Sequence, residues 1–211
     1  MTICSRIITV SALYFVVLGI SGSTPGLGAF GPPTTTPSKY EVTKASGGSI
    51  RTVLSENIVL DKGSTLNREW IAIKQANLPA KLKGTPGVST IYSGRSEHYE
   101  YSADYEVDFA EPVVAIEVRF ITFNVWGERV NSLVATDVED YAPGTQKLSA
   151  TWNLYSENEA SEYYASIAYV SRVRTKDGRV LTADIQPVLD EAHRFNAKFA
   201  ESDLDPKKPT K

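Results

Sequence analysis

The stretch "HYEYSADYEVDF" (residues 98–109) limits what this chain can fold into more than any other. Tyr99, Tyr101, Tyr105, Val107 and Phe109 share one parity, and Glu100, Asp104, Glu106 and Asp108 share the other. An extended strand sends alternate side chains to opposite faces, so this pattern predicts a half-buried strand with carboxylates on its outer face. Such a strand needs a facing layer to cover its apolar side.

The same period of two runs through most of the central chain. "EWIAIK" near Trp70 and "VSTIYS" (88–93) predict strands, separated by the breakers Pro79, Gly84, Pro86 and Gly87. "VVAIEVRFITFNVW" after Pro112 is the most β-prone run. In it Val114, Ile116, Val118 and Phe120 point one way, and Ala115, Glu117, Arg119, Ile121 and Phe123 the other. "RVNSLVAT" predicts a returning strand, "APGTQ" a turn, and "KLSATWNLY" a strand with Leu148, Ala150, Trp152 and Leu154 in phase. "EYYASIAYVSRVRTKDGRVLTADI" predicts a hairpin closed at Asp177-Gly178, a dipeptide suited to a tight type I′ turn. About seven strands at this spacing predict an antiparallel sandwich. No solenoid repeat or heptad is visible.

One segment departs from that period. In "QPVLDEAHRFNAKFAE", Val188, Ala192, Phe195 and Phe199 fall at helical spacing behind Pro187, which predicts a helix over 186–200. Its apolar stripe must be buried, either on the sandwich or on a partner.

The N-terminus predicts export. "MTICSR" carries one positive charge, the uncharged run "IITVSALYFVVLGI" follows, and small residues come next, in the order of a signal peptide over 1–23. Cleavage after Ser21 or Ser23 suits the small-residue rule, and Ala29 is a later alternative. The apolar run is short for a span of about 20 residues, so an uncleaved anchor is the lesser expectation. Cys4, the one cysteine, lies inside the signal, which leaves the mature chain without disulfides or thiolate ligands. "FGPPTTTPSKYEVTKASGGS" (30–49) reads as a flexible linker, 50–87 as N-terminal strands or an extension, 88–185 as the sandwich domain, and 201–211 as a polar tail that frays.

"FITFNVWG", starting at Phe120, resembles the F-x-L-Y-D-x-x-G pattern of FxLYD-type domains, immunoglobulin-like sandwiches of secreted and envelope proteins. Phe120 and Gly127 match; Phe123 stands for Tyr and Asn124 for Asp, while Thr122 in place of Leu departs from the pattern. The "PG" of "APGTQ" resembles the family's turn before its next strand, so the likeness covers about Val88 to Ile185. The resemblance implies an immunoglobulin-like fold and a non-catalytic role, and brings no catalytic residues.

A net charge of -3 without clustered Lys and Arg argues against nucleic-acid binding. His98 and His193 lack the neighbours of a triad, and the sequence has no G-x-S-x-G, H-E-x-x-H, P-loop or G-x-G-x-x-G. The acidic stretches "DVEDY" and "SENEASE" could serve calcium or glycoside chemistry, but lack EF-hand spacing and read by default as solvated loops. Glu117 with Arg119, and Arg172 with Arg174 on a neighbouring strand, predict a surface Glu/Arg ladder of modest worth. Tyr163, Tyr164 and Trp126 are the candidate binding residues, because Tyr and Trp combine apolar area with hydrogen bonding. Trp126 lies past its strand, and an exposed ring there would make it the first candidate anchor. No catalytic residue, cofactor or metal is expected. The chain therefore reads as a secreted or periplasmic binding or scaffolding module whose partner is an envelope protein or a glycan, with no membrane contact beyond an uncleaved signal. The alternatives are a small envelope hydrolase using acidic loop residues and a subunit of an envelope complex.

Overall fold

The strand Val113–Asn124 carries large apolar residues at both parities, and a strand of that kind must be covered on both faces. The computed structural model, which describes residues 39–49, 52–54, 58–60, 67–93, 98–154 and 163–206, places it in that position. The chain divides into units Met1–Thr36 and Pro37–Lys211. The expected signal peptide and the start of the expected linker lie outside the described residues.

The strands are β1 (Tyr40–Ser49), β2 (Thr52–Leu54), β3 (Ile58–Leu60), β4 (Asn67–Gln75), β5 (Ala80–Lys83), β6 (Ser89–Ser93) and β7 (His98–Phe109). They continue as β8 (Val113–Asn124), β9 (Arg129–Asp137), β10 (Gly144–Asn153), β11 (Tyr163–Thr175) and β12 (Val180–Thr182). The larger sheet runs β1-β4-β11-β8-β9, with β12 paired to β11; the smaller runs β10-β7-β5, with β6 paired to β7. β2 and β3 pair with each other.

Ile116, Val118 and Phe120 of β8 enter the core between the sheets, where they join Tyr101, Tyr105, Val107 and Phe109 of β7. Each fully buried side chain of this size contributes about 1.5–3 kcal/mol. The parity read from β7 is therefore the one that folds: Tyr101, Tyr105 and Phe109 face inward, while Asp104 and Asp108 are exposed. On the other face of the larger sheet, Ile121, Phe123, Ile71, Ile73 and Ile167 form a second core under Val188, Ala192, Phe199 and Leu204. The molecule is a mainly β sandwich; among the described residues it has one α-helix, α1 (Gln186–His193), and that helix packs on its own sheet.

Several expectations need correction. The sandwich is not wholly antiparallel, because β4 pairs β11 in parallel from Glu69↔Ala165 to Ile73↔Tyr169. The linker expected over 30–49 gives way at Tyr40, where β1 adds to β4 from Tyr40↔Gln75 onward, and Val42 packs on the outer core. Of the strands or extension expected over 50–87, strands form, and they belong to the sandwich, which therefore begins before residue 88: Ile71, Ala72 and Ile73 of β4 are buried within the larger sheet. Gly87 lets the chain lie flat on Trp70, whose ring a Cβ at that position would meet at 2.3 Å.

The helix stops at His193 rather than 200. Asn196 turns its side chain onto the Lys198 N–H at 3.0 Å, a local bond that competes with helix continuation. Phe195 and Phe199 still reach the sheet, but from turns, with Phe195 stacked on Phe123 at 4.9 Å. The expected fraying tail instead begins as a 3-10 turn, Glu201–Leu204, with Leu204 buried. Among the described residues no helix is long and apolar enough to cross a membrane.

Candidate functional site

The corner between β8 and β9 is built around Asn124. The Gly127 N–H donates to the Asn124 carbonyl at 3.0 Å and the Asn124 N–H to the Glu128 carbonyl at 2.9 Å. This closes a three-residue loop that needs a left-handed residue at its third position, and Gly127 supplies it with φ 78. The buried Asn124 side chain then holds the loop from inside. Its Oδ1 accepts from the N–H groups of Trp126 (3.0 Å) and Glu128 (2.9 Å), and its Nδ2 donates to Glu128 Oε2 at 2.9 Å. The N–H groups of Asn124, Trp126, Gly127 and Glu128 are all satisfied by one side chain and the turn bonds, so the loop is held in one conformation.

With its backbone bonded inward, the loop sends its two apolar side chains out. Val125 is 38% exposed and Trp126 81%. Below them Gly127 meets the Phe195 carbonyl so closely that a Cβ would stand 2.2 Å from its oxygen. Phe195 has Arg194 over its ring at 5.7 Å and Tyr164 edge-on at 6.4 Å. The half-buried Tyr164 donates its hydroxyl to Glu69 Oε1 at 2.5 Å. That bond, with burial second, pushes its ionisation up to about 12. Tyr164 thus borders the Phe195 loop that supports Trp126, but its hydroxyl is committed to Glu69.

Tyr163 is not a surface residue, contrary to expectation. Its ring is wholly buried with the Arg68 guanidinium over its face at 5.0 Å, and its hydroxyl accepts from Trp70 Nε1 at 3.0 Å and donates to Ser166 Oγ at 3.2 Å. It is the first residue of β11 and points into the sandwich with Tyr101, which it meets edge-on at 5.7 Å. Of the three candidate residues only Trp126 is free to meet a partner with most of its ring.

The acidic residues lie on open strand faces. Asp104 and Glu106 line a shallow groove of about 520 Å³ with Lys83, Tyr105 and Lys147. They are two residues apart on one face of β7 rather than opposed across a cleft, and Glu106 lies 3.8 Å from Lys83 Nζ and 3.9 Å from Lys147 Nζ. In "DVEDY", Asp140 pairs with Lys176 at 3.7 Å. The "SENEASE" stretch (156–162) lies outside the described residues. Among the described residues no group of three His, Cys, Asp or Glu side chains could hold a metal ion. The His193 Nε2–H donates to the Phe199 carbonyl at 2.8 Å, fastening the turn after α1.

The expected Glu/Arg pairing forms around a buried carboxylate, with Arg119 half-buried and Arg172 and Arg174 exposed. Glu117 is 3% exposed. Its Oε1 accepts from Arg119 Nε at 2.8 Å and Ser171 Oγ at 2.7 Å, and its Oε2 meets Arg172 at 2.5 Å. Burial pushes the carboxyl up, but the bonds from Ser171, Arg119 and Arg172 outweigh it and hold Glu117 below its ordinary value. Sequence parity found these residues; nothing local to them announces the C-terminal segment that lies over them.

No family model matches the chain, and no curated protein matches it. A hypothetical protein from Peptoclostridium difficile 630, solved by X-ray at 1.85 Å, is similar at 9% identity over 62% of this chain and 98% of that one, with a TM-score of 0.43.

Proposed function

We propose that this chain is a secreted or periplasmic β-sandwich module that binds an envelope protein or a glycan without catalysis, with Trp126 as the anchor. The observation that carries this reading is a large aromatic ring, 81% exposed, on a loop whose backbone is fixed by Asn124. Exposing an indole forgoes its burial energy, and a fixed loop loses little entropy when the ring is taken up. The charged and apolar order of residues 1–23 supports export. We assign the sandwich to the immunoglobulin-like FxLYD type on the stretch Phe120–Gly127, in which Phe120 serves the core and Asn124 and Gly127 serve the turn. The Thr122 that departs from that pattern has a local task. Its hydroxyl accepts from the Asn131 N–H at 3.0 Å where the β8–β9 register shifts.

Capture from envelope extract and a glycan panel, read with the wild type and Trp126→Ala, tests the assignment. The substitution should leave the unfolding free energy within about 0.5 kcal/mol, as for other exposed sites, and lower capture at least about tenfold. Equal capture by Trp126→Ala, or none by the wild type, would refute it.

A further inference from the structure

The segment after α1 crosses the outer face of the larger sheet as a strap, and the sheet holds it by its main chain. Arg129 donates one Nη1 to the carbonyls of Asp203 (2.9 Å) and Asp205 (3.0 Å), and Ser132 Oγ donates to the Asp203 carbonyl at 2.6 Å. Arg119 Nη1 donates to the Leu204 carbonyl at 3.0 Å. Three consecutive carbonyls are therefore taken by side chains of β8 and β9, without strand pairing. The flanking carboxylates match the same arginines: Asp203 Oδ1 lies 3.6 Å from Arg129 and Asp205 Oδ1 3.2 Å from Arg119. Leu204 between them is 5% exposed. Carbonyl-directed bonds, one apolar anchor and paired charges at either side are how a groove recognises a short acidic peptide.

We propose that the face carrying Arg119, Arg129 and Ser132 is a binding site for a short acidic peptide of Asp-apolar-Asp type, turned at its first Asp, from a partner protein, occupied in cis by Asp203-Leu204-Asp205.

Two further features support an exchangeable strap over a plain terminal packing. The floor is pre-organised at a desolvation cost: the buried Glu117 carboxylate fixes Arg119 while Arg172 and Ser171 take its remaining capacity. A buried carboxylate is weak evidence for stability in itself, and this one serves to aim Arg119 at the strap. The strap also covers that floor incompletely. A cavity of about 260 Å³ remains, lined by Glu117, Arg119, Tyr169, Ser171, Leu204 and Asp205 among others. Asp203 Oδ2 closes the 3-10 turn onto the Ala200 N–H at 2.9 Å, so a free peptide of this sequence is suited to the same shape.

The test uses the full chain and a fluorescein-labelled peptide of residues 200–206, read by anisotropy. Leu204→Ala weakens the cis occupant and should raise affinity for the free peptide about tenfold or more over the wild type, since apparent affinity scales with the open fraction. Adding Arg129→Ala should remove that gain, and a peptide with Asn at both Asp positions should not bind. If Leu204→Ala does not unfold cooperatively, Asp203→Asn with Asp205→Asn replaces it, because neither of those side chains is buried. A folded variant that takes the peptide no better than the wild type, or takes the Asn peptide equally well, overturns the proposal. So does a concentration-dependent dimer formed without uptake of the free peptide.

Discussion

Two glycines in this chain sit in turns of one type yet answer to different forces. In the hairpin between β11 and β12, Gly178 donates to the Thr175 carbonyl and the Thr175 N–H to Arg179, each at 3.0 Å, the same pattern as at Asn124–Glu128. The loop is therefore three residues long with Gly178 at φ 93, not the two-residue type I′ turn that Asp-Gly predicts. Asp177 is spent on the Thr175 hydroxyl and on Arg179 Nε at 2.8 Å, which holds its carboxyl down at about 2. A Cβ at Gly178 meets nothing within 4 Å, whereas one at Gly127 meets the Phe195 carbonyl oxygen at 2.2 Å. Gly178→Ala should cost about 1–2 kcal/mol from the left-handed conformation alone. Gly127→Ala should cost about 3 kcal/mol or more, because the backbone of the loop after α1 must also move. Urea midpoints of the two variants decide this, and equal losses would remove the assigned contact with Phe195. The sequence stretch "NVWG" announces a turn through Asn and Gly, but the exposure of Trp126 depends on which way the loop is pulled, and that is set by Phe195, far along the chain.

At the scale of elements, local period predicted what local forces determine. The β7 alternation, the two-sided apolar run of β8 and the hairpin at Gly178 were legible because each is written within its own residues. β1 was not, since its Thr, Ser and Gly composition reads as linker and only the edge of β4 supplies its hydrogen bonds. The parallel β4–β11 pair was hidden for the same reason, joining residues about a hundred positions apart. One side chain shows how such distant elements are fastened. β4 and β12 both lie beside β11, and Gln75 bridges from the end of β4 to the residues that follow β12. Its Nε2 donates to the Asp184 carbonyl and its Oε1 accepts from the Asp184 N–H, each at 2.6 Å, as a paired backbone amide would. Gln75 is 4% exposed, so little water replaces it. Gln75→Ala should cost about 1–3 kcal/mol, and Gln75→Glu more, because a carboxylate oxygen would then face the Asp184 carbonyl. Amide exchange at Asp184 should rise in both, and an unchanged exchange rate would mean that the bridge does not hold β12 in place.

For the whole molecule, the buried charges and phenols set the pH range over which the two cores stay closed. Glu117 has Arg119 beside it on β8, Arg172 and Ser171 on β11, and Asp205 and Glu201 in the strap above. Glu117 and Glu191 are both held below their ordinary value of 4.5, in Glu191 because bonds from Arg194 and Lys44 outweigh burial. A carboxyl with a depressed folded value takes up its proton first in the unfolded chain. Its contribution is thus complete above about pH 4.5 and is lost as pH falls through the folded value. At the alkaline end the sign reverses the direction of loss. Burial leads in pushing Tyr105 and Tyr169 up to about 12, and the Glu69 bond leads for Tyr164. Unfolded phenols release protons near 10, so stability from these three is present below that value and declines as pH rises toward 12. Urea midpoints should therefore form a plateau from about pH 5 to 9.5 with losses on both sides. Glu117→Gln separates the strap's floor from the general titration: it lowers the plateau by removing the anchor of Arg119, and it flattens the acid limb. An acid limb as steep as the wild type's would show that Glu117 carries no part of it, and Arg119 would then be held by other means.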